Sequence, residues 1–105
     1  MARFDVYINP GEHAGTTPYL LDVQSGLLDD LDSRVVVPLR SLQHFPQVKL
    51  SARLTPVFQI DGQACLMETP KMAAIPRRVL KTVAMSLAHE QEQITAALDF
   101  LFHGY

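Results

Sequence analysis

Two periodicities divide the chain. From Arg3 to Asn9 apolar and polar residues alternate, with Phe4, Val6 and Ile8 on one side and Arg3, Asp5, Tyr7 and Asn9 on the other, the period-2 signature of a half-buried strand. From Ser86 to Tyr105 the spacing changes. Ile94, Ala97, Leu98, Leu101 and Phe102 fall at i, i+3, i+4, i+7 and i+8, which places them on one face of an α-helix. Ser86 reads as the N-cap, Glu90 and Glu92 lie in the early turns where the helix dipole favours negative charge, and Gly104 stands where a helix-ending glycine belongs. The polar face carries Glu92, Gln93, Thr95 and Asp99. The tail His103-Gly104-Tyr105 follows the helix. Chain ends are usually polar and frayed; this one stays apolar to its last residue, as expected of a segment that packs on or binds something.

Between these two elements the signals are short and β-like. Tyr19–Gln24 reads as a second strand, joined to the first by the Pro- and Gly-bearing stretch Asn9–Pro18, expected to form a long, mobile hairpin tip. Ser25–Asp32 reads as a turn carrying Leu27, Leu28 and Leu31. Arg34–Leu39 is a buried strand whose Pro38 points to a strand end or an edge. Ser41–Leu54 has no clean period and His44-Phe45-Pro46 breaks any helix begun at Ser41, so the segment reads as an excursion off the sheet. Val57–Ile60 and Gln63–Glu68 flank Asp61-Gly62, a tight hairpin turn with positive φ. Met72–Ile75 is a short strand between the Thr69-Pro70-Lys71 turn and Pro76. Arg77–Ala84 stays open between a last strand and a short helical turn. Five or six strands and one C-terminal helix predict a mainly β fold, a small, strongly bent antiparallel sheet or partial barrel with the helix over its open side.

Composition narrows the function classes. A chain of 105 residues, 48% hydrophobic, is one domain able to bury a core without staples. A net charge of −2 lacks the electrostatic footprint of a protein that binds nucleic acid or an anionic membrane alone. The single cysteine, Cys65, excludes an internal disulfide and points to a reducing compartment. With no secretory leader and no apolar run of ~18 residues, a cytoplasmic protein is expected, with no membrane partner.

The candidate chemistry is sparse. His13, His44, His89 and His103 are scattered, with no i, i+4 pair, so neither a metal nor a cofactor is expected. Cys65, between Ala64 and Leu66, reads as a core residue rather than a nucleophile, since no base lies near it. Asp29-Asp30-Leu31-Asp32 lacks the ligand spacing of a calcium loop and reads as a solvated turn. Arg77-Arg78 with Lys81 is either a solvated face or a phosphate contact. No catalytic residue is assigned. The tail is either a frayed helix end or an aromatic anchor at a partner interface.

A family resemblance enters at Leu21-Asp22-Val23-Gln24-Ser25. It continues through Arg34-Val35-Val36-Val37-Pro38-Leu39, Pro56-Val57-Phe58-Gln59-Ile60 and Met72-Ala73-Ala74-Ile75-Pro76. It ends at Ala97-Leu98-Asp99-Phe100-Leu101-Phe102-His103-Gly104-Tyr105. In this order, from Phe4 to the last residue, the chain closely resembles the CcdB family, the toxin half of a type II toxin–antitoxin pair. The resemblance implies a homodimer of a small SH3-like sheet with a C-terminal helix. It implies a poison that binds the DNA gyrase A subunit and traps the cleaved-DNA complex without itself catalysing a reaction. Carried over by position, the gyrase contacts are His103, Gly104, Tyr105, Phe102, Asp99, Leu27 and Leu28. The implied second partner is a CcdA-like antitoxin that folds on the toxin dimer. With it the toxin co-represses its operon, reaching operator DNA only through the antitoxin. Asn9–Pro18 and Leu42–Leu54 are expected antitoxin contacts.

The chain departs from the best-known members of that family at its end. They carry tryptophan where this chain has His103, and an aliphatic residue where it has Tyr105. A neutral imidazole stacks on a guanidinium with less buried area than an indole, and a protonated one repels it. A poison tuned to its host's gyrase, a non-poisoning relic or structural antitoxin-binding protein, and a retargeted toxin all stay open. So does an endoribonuclease of the MazF and Kid type, which shares the implied fold. RNA cleavage needs an arginine and an acid or base beside a phosphodiester, and Arg34, Arg53, Arg77, Glu12 and His13 are the raw material.

Overall fold

The N-terminal alternation becomes strand β1 (Asp5–Ile8), paired with β2 (Tyr19–Asp22) as a hairpin. The computed structural model describes residues 1–44 and 51–104. Within them follow β3 (Ser33–Ser41), β4 (Val57–Ile60), β5 (Gln63–Met67), β6 (Ala73–Pro76), β7 (Val83–Ser86) and helix α1 (Gln91–His103). All pairings are antiparallel, in the order β4-β5-β3-β2-β1-β7 with β6 also beside β3. The sheet curls into a half-barrel, as the pattern predicts, and Ile94 and Ala97 of the helix pack into its main apolar cluster. Among the described residues it has seven strands rather than five or six. The ambiguous Arg77–Ala84 stretch supplies both of its alternatives, a 3₁₀ turn at Arg77–Val79 and then β7, which pairs with β1.

β3 is the longest strand, and its far edge is shared. β2 runs along one side from Asp22↔Val36 to Tyr19↔Leu39. The other side pairs with β6 from Ser33 to Val36 and with β5 from Leu39 to Ser41. Pro38 is therefore interior, not at a strand end or edge. Its carbonyl accepts from Glu68 N–H at 2.9 Å, so the side on which it lacks a donor faces the Thr69–Lys71 turn between β5 and β6. Proline is tolerated there because no ladder partner waits for the missing N–H.

Two apolar clusters lie on opposite faces of the sheet. Val6, Leu21, Val37, Leu39, Ile60, Cys65 and Met67 form the main one, closed by Leu87, Ile94 and Ala97 from the helical region. A smaller cluster joins Tyr7, Val36 and Leu80, with Leu20 and Ile75 against it. Burial along β1 departs from the alternation at two residues. Tyr7, expected on the polar side of β1, is buried, while Ile8 is exposed. Covering of the second face accounts for Tyr7; Ile8 lies beyond a register shift in the β1–β7 pairing between Val6 and Tyr7.

The chain also departs from the expected strand at Phe4, which adopts φ +75°, a region that aromatic L-residues rarely enter. The strain persists because the surroundings over-determine it. Phe4 N–H donates to Asp22 O at 2.7 Å, Leu87 N–H donates to Phe4 O at 2.8 Å, and the ring is buried in the main cluster. The Asp61-Gly62 turn is as predicted, with φ +50° and +77°, the signature of a type I′ hairpin.

The hairpin tip carries local structure and hydrogen bonds to the sheet. A 3₁₀ turn spans Glu12–Gly15, Asn9 Nδ2 donates to Thr17 O at 2.8 Å, and Ser41 N–H donates to Thr16 O at 2.8 Å. Of the Ser41–Leu54 excursion, a 3₁₀ turn at Leu42–His44 and residues 51–54 are described; Phe45 and Pro46, the expected helix breakers, lie outside the described residues. Ser86 is not the cap of α1. It ends β7, and its Oγ accepts from Ala88 N–H at 3.1 Å. A 3₁₀ turn at Ala88–Glu90 then precedes the helix.

Phe4 yields an inverted mutational order. Phe4→Ala loses the buried ring and keeps the strain, whereas Phe4→Gly loses the ring and relieves it. In urea unfolding Phe4→Gly is expected to be the more stable of the two by ~1 kcal/mol, against the usual order for Gly and Ala. Equal stabilities, or Ala ahead, would show that the positive φ stores no strain.

Candidate functional site

The segment Asp22-Val23-Gln24-Ser25 leaves the sheet and builds a turn, each residue anchoring it differently. Asp22 and Arg34 are fully buried side by side on the face of the smaller cluster. Arg34 Nε donates to Asp22 Oδ2 and Nη2 to Oδ1, both at 2.9 Å, and Nη2 also donates to Gln24 O at 3.0 Å. Asp22 Oδ1 accepts from Gln24 N–H at 3.0 Å. Val23 packs in the main cluster. The Gln24 amide spans the base of the turn: Nε2 donates to Leu28 O at 3.3 Å and Ser33 O at 3.2 Å, and Oε1 accepts from Val35 N–H at 3.0 Å. Ser25 Oγ accepts from Leu27 N–H at 3.2 Å, opening the 3₁₀ turn Gly26–Leu28.

The result is an apolar protrusion. Leu27 is 95% exposed, and Leu28 and Leu31 are about half exposed. The acidic run that follows is only partly the solvated turn expected of it. Asp30 and Asp32 are exposed, but Asp29 is half-buried, its Oδ1 3.7 Å from Arg34 Nη1 and its carbonyl accepting from Arg77 Nη1.

Burial dominates the electrostatics of the anchor. It pushes the Asp22 carboxyl above its ordinary pKa, against the hydrogen bonds from Arg34 and Gln24 N–H, which pull it down. Burial likewise raises the Tyr7 hydroxyl nearby and the Cys65 thiol in the main cluster, so Cys65 is a neutral core thiol.

A second protrusion is the end of α1. Ile94 and Ala97 are buried, Leu98 and Leu101 half-buried, and Phe102, on the same predicted face, is 66% exposed. The apolar stripe therefore runs off the core at its C-terminal turn. Asp99, His103 and Gly104 are exposed beside Phe102. Gly104 adopts φ +79°, ψ 13°, and its N–H donates to Phe100 O at 2.9 Å, the left-handed stop expected at that glycine. A Cβ there would meet nothing within 4 Å, so backbone conformation rather than space calls for glycine. Tyr105 lies outside the described residues. The fold thus gathers Asp99, Phe102, His103 and Gly104 on one helical turn, and Leu27 with Leu28 on another element held by a separate network.

The remaining candidates fall elsewhere. Arg34 is committed to Asp22, Arg77 to Asp29, and the Arg53 guanidinium lies 4.8 Å from the Phe100 ring centroid. His89 lies beside Glu90 at 3.9 Å. Among the described residues no three His, Cys, Asp or Glu side chains gather around a point that could hold a metal ion. Arg78 and Lys81 are exposed. His13 lines a cavity of about 370 Å³ with Arg40, Lys71 and Glu68, the last 3.9 Å and 3.4 Å from the two cations. Sequence reasoning missed Arg40, Glu68 and Lys71 as companions of His13, because only the β3 register sets them beside the hairpin tip.

A family model described as CcdB protein matches residues 3–104. The chain belongs to the CcdB family. Membership in CcdB implies the toxin of a toxin–antitoxin pair acting on gyrase, and CcdB proteins act by binding rather than by catalysis. The half-barrel and its terminal helix agree with the CcdB-like architecture expected from the quoted segments. Among the described residues no helix is long and apolar enough to cross a membrane.

The anchor makes a pH-dependent prediction. Arg34→Met leaves Asp22 buried without its cation and is expected to cost about 3–5 kcal/mol near neutral pH. The Asp22 pKa is already raised in the fold, so its contribution is present below the unfolded value and lost as pH rises through the folded one. Removing Arg34 raises the folded pKa further. The gap between variant and wild type should therefore narrow on acidification toward about pH 4, as followed by urea unfolding across pH. A gap that stays constant or widens on acidification would mean that Asp22 is not the group left uncompensated.

Proposed function

We propose that this CcdB-family chain binds the A subunit of DNA gyrase and traps the enzyme on cleaved DNA. The contacts are His103, Gly104, Tyr105, Phe102 and Asp99 at the helix end, with Leu27 and Leu28 on the turn. The family match over residues 3–104 carries this reading, and two exposed apolar protrusions, Leu27 on a hydrogen-bonded turn and Phe102 on a helix, favour it. Exposed aromatic and aliphatic anchors give up little conformational entropy when a partner covers them. The chain acts as a homodimer whose two-fold axis matches that of the gyrase A dimer. By binding one state of the gyrase cycle more tightly than the others, it holds the enzyme there. His103 supplies a stacking face for a partner guanidinium.

A cognate antitoxin neutralises the toxin by folding over it. The tied hairpin tip Asn9–Pro18 and the 42–54 segment are its contacts, and the pair represses its operon through DNA bound by the antitoxin alone. The net charge of −2 suits that division of labour.

One observation favours a second reading, an RNA-cleaving toxin. His13, two cations and a carboxylate share a cavity, a setting that can hold a phosphodiester and move a proton. The family match weighs against it.

A cleavage assay with linear DNA and the host's gyrase separates these readings. The native chain is expected to trap cleaved DNA, His103→Trp to trap it more strongly, and a variant lacking residues 103–105 to trap none. Activity retained after truncation would remove the tail from the site. No trapping by any variant, with RNA cleavage lost in His13→Ala, would favour the second reading.

A further inference from the structure

Arg77 stands far from the Leu27–Leu28 turn in sequence but holds it at two points. Its backbone N–H donates to Asp32 O at 2.8 Å, extending the β3–β6 ladder by one bond. Its guanidinium reaches back across the turn: Nη1 donates to the Asp29 carbonyl, and Nη2 lies 3.9 Å from Asp29 Oδ2. Because Pro76 pairs with Ser33, the β6 end delivers this side chain from a fixed position. Gln24 and Ser25 hold the turn from its near side, through Leu28 O and Leu27 N–H. Arg77 holds the far side.

The turn needs such anchors. A leucine that is 95% exposed makes almost no apolar contact, so packing does not fix its backbone and polar bonds must. The far anchor also asks for arginine. A guanidinium can meet a carbonyl and a carboxylate at once through its fork of donors, whereas an ammonium presents a point charge. Arg78, one residue on, carries the same charge and lines the same open cleft of about 820 Å³ as Arg77, but is the more exposed of the two.

We infer that Arg77 is a positioning residue, which pre-organises Leu27 and Leu28 for the partner surface without touching it. Its contribution to affinity is the ordering cost it removes before binding. The inference rests on the reading above that these leucines meet gyrase.

The test compares wild type, Arg77→Ala, Arg77→Lys and Arg78→Ala by amide hydrogen exchange and by affinity for the isolated gyrase A subunit. The reporting amides are those of Leu28 and Leu31, which donate to Ser25 O and Leu28 O. The Glu68 amide, bonded to Pro38 O inside the sheet, reports global stability. In Arg77→Ala, exchange at Leu28 and Leu31 is expected to quicken about tenfold with Glu68 unchanged, and affinity to weaken about tenfold. Arg77→Lys should fall between, and Arg78→Ala should match wild type.

Unchanged exchange at Leu28 and Leu31 in Arg77→Ala overturns the inference, as does an equal acceleration at Glu68, which would mean general destabilisation. An equal loss of affinity in Arg78→Ala also overturns it, since the effect would then be one of charge. A turn that loosens with affinity unchanged overturns the pre-organising role. A wild-type chain that fails to bind the A subunit, beside a turn that loosens in Arg77→Ala, removes the gyrase reading and leaves the clamp as a property of the fold.

Discussion

The buried pair of Asp22 and Arg34 is the constraint on which the exposed Leu27–Leu28 turn depends. Two opposite charges inside a small domain are stabilising only if nearly every polar atom finds a partner, because each loses its hydration. Here the carboxylate takes two guanidinium bonds and a backbone N–H, and the guanidinium also serves the Gln24 carbonyl; its Nη1 makes no hydrogen bond and lies 3.7 Å from Asp29 Oδ1. Those demands fix the backbone of residues 22–24, which fixes the Gln24 amide. That amide in turn holds both ends of the following turn. Leu27 is thus presented to solvent by a chain of polar bonds that begins in a desolvated ion pair.

The same economy governs the sheet around it. β3 serves β2 on one edge and both β5 and β6 on the other, so one strand aligns the hairpin tip, the helix-bearing core and the turn. Its proline falls at the one place on the shared edge where a missing donor costs nothing. Its alternation feeds two clusters, with Val37 and Leu39 in one and Val36 in the other. Phe4 ties the arrangement together, since its strained backbone bonds both to β2 and to the start of the helical region. The cost of that conformation is met by burial of its ring.

Local chemistry was legible wherever one residue type admits one conformation. The Asp61-Gly62 turn, the left-handed stop at Gly104 and the β1–β2 hairpin could all be read from a few neighbouring residues. So could the face of α1 through Ala97. The misreadings came where a distant partner decides. Tyr7 looked exposed because alternation identifies two faces without saying whether the second is covered. The tie of Asn9–Pro18 to Ser41 went unread because it is a backbone bond with no residue signature. Ser86 looked like a helix cap because a serine that ends a strand and one that starts a helix make the same short-range bond.

For the candidate site the division has the same origin. The sequence by itself determined the mainly β order with its closing helix, and its quoted segments pointed to the family, because these depend on side-chain identity and short spacings. Only the tertiary structure decided that Phe102 leaves the core while Ile94 enters it, that Arg34 is an internal counter-ion, and that Arg77 braces a turn 48 residues away from it. Those outcomes are set by which strands pair and in what register. Register is fixed by the whole sheet at once, and no local stretch of residues encodes it alone.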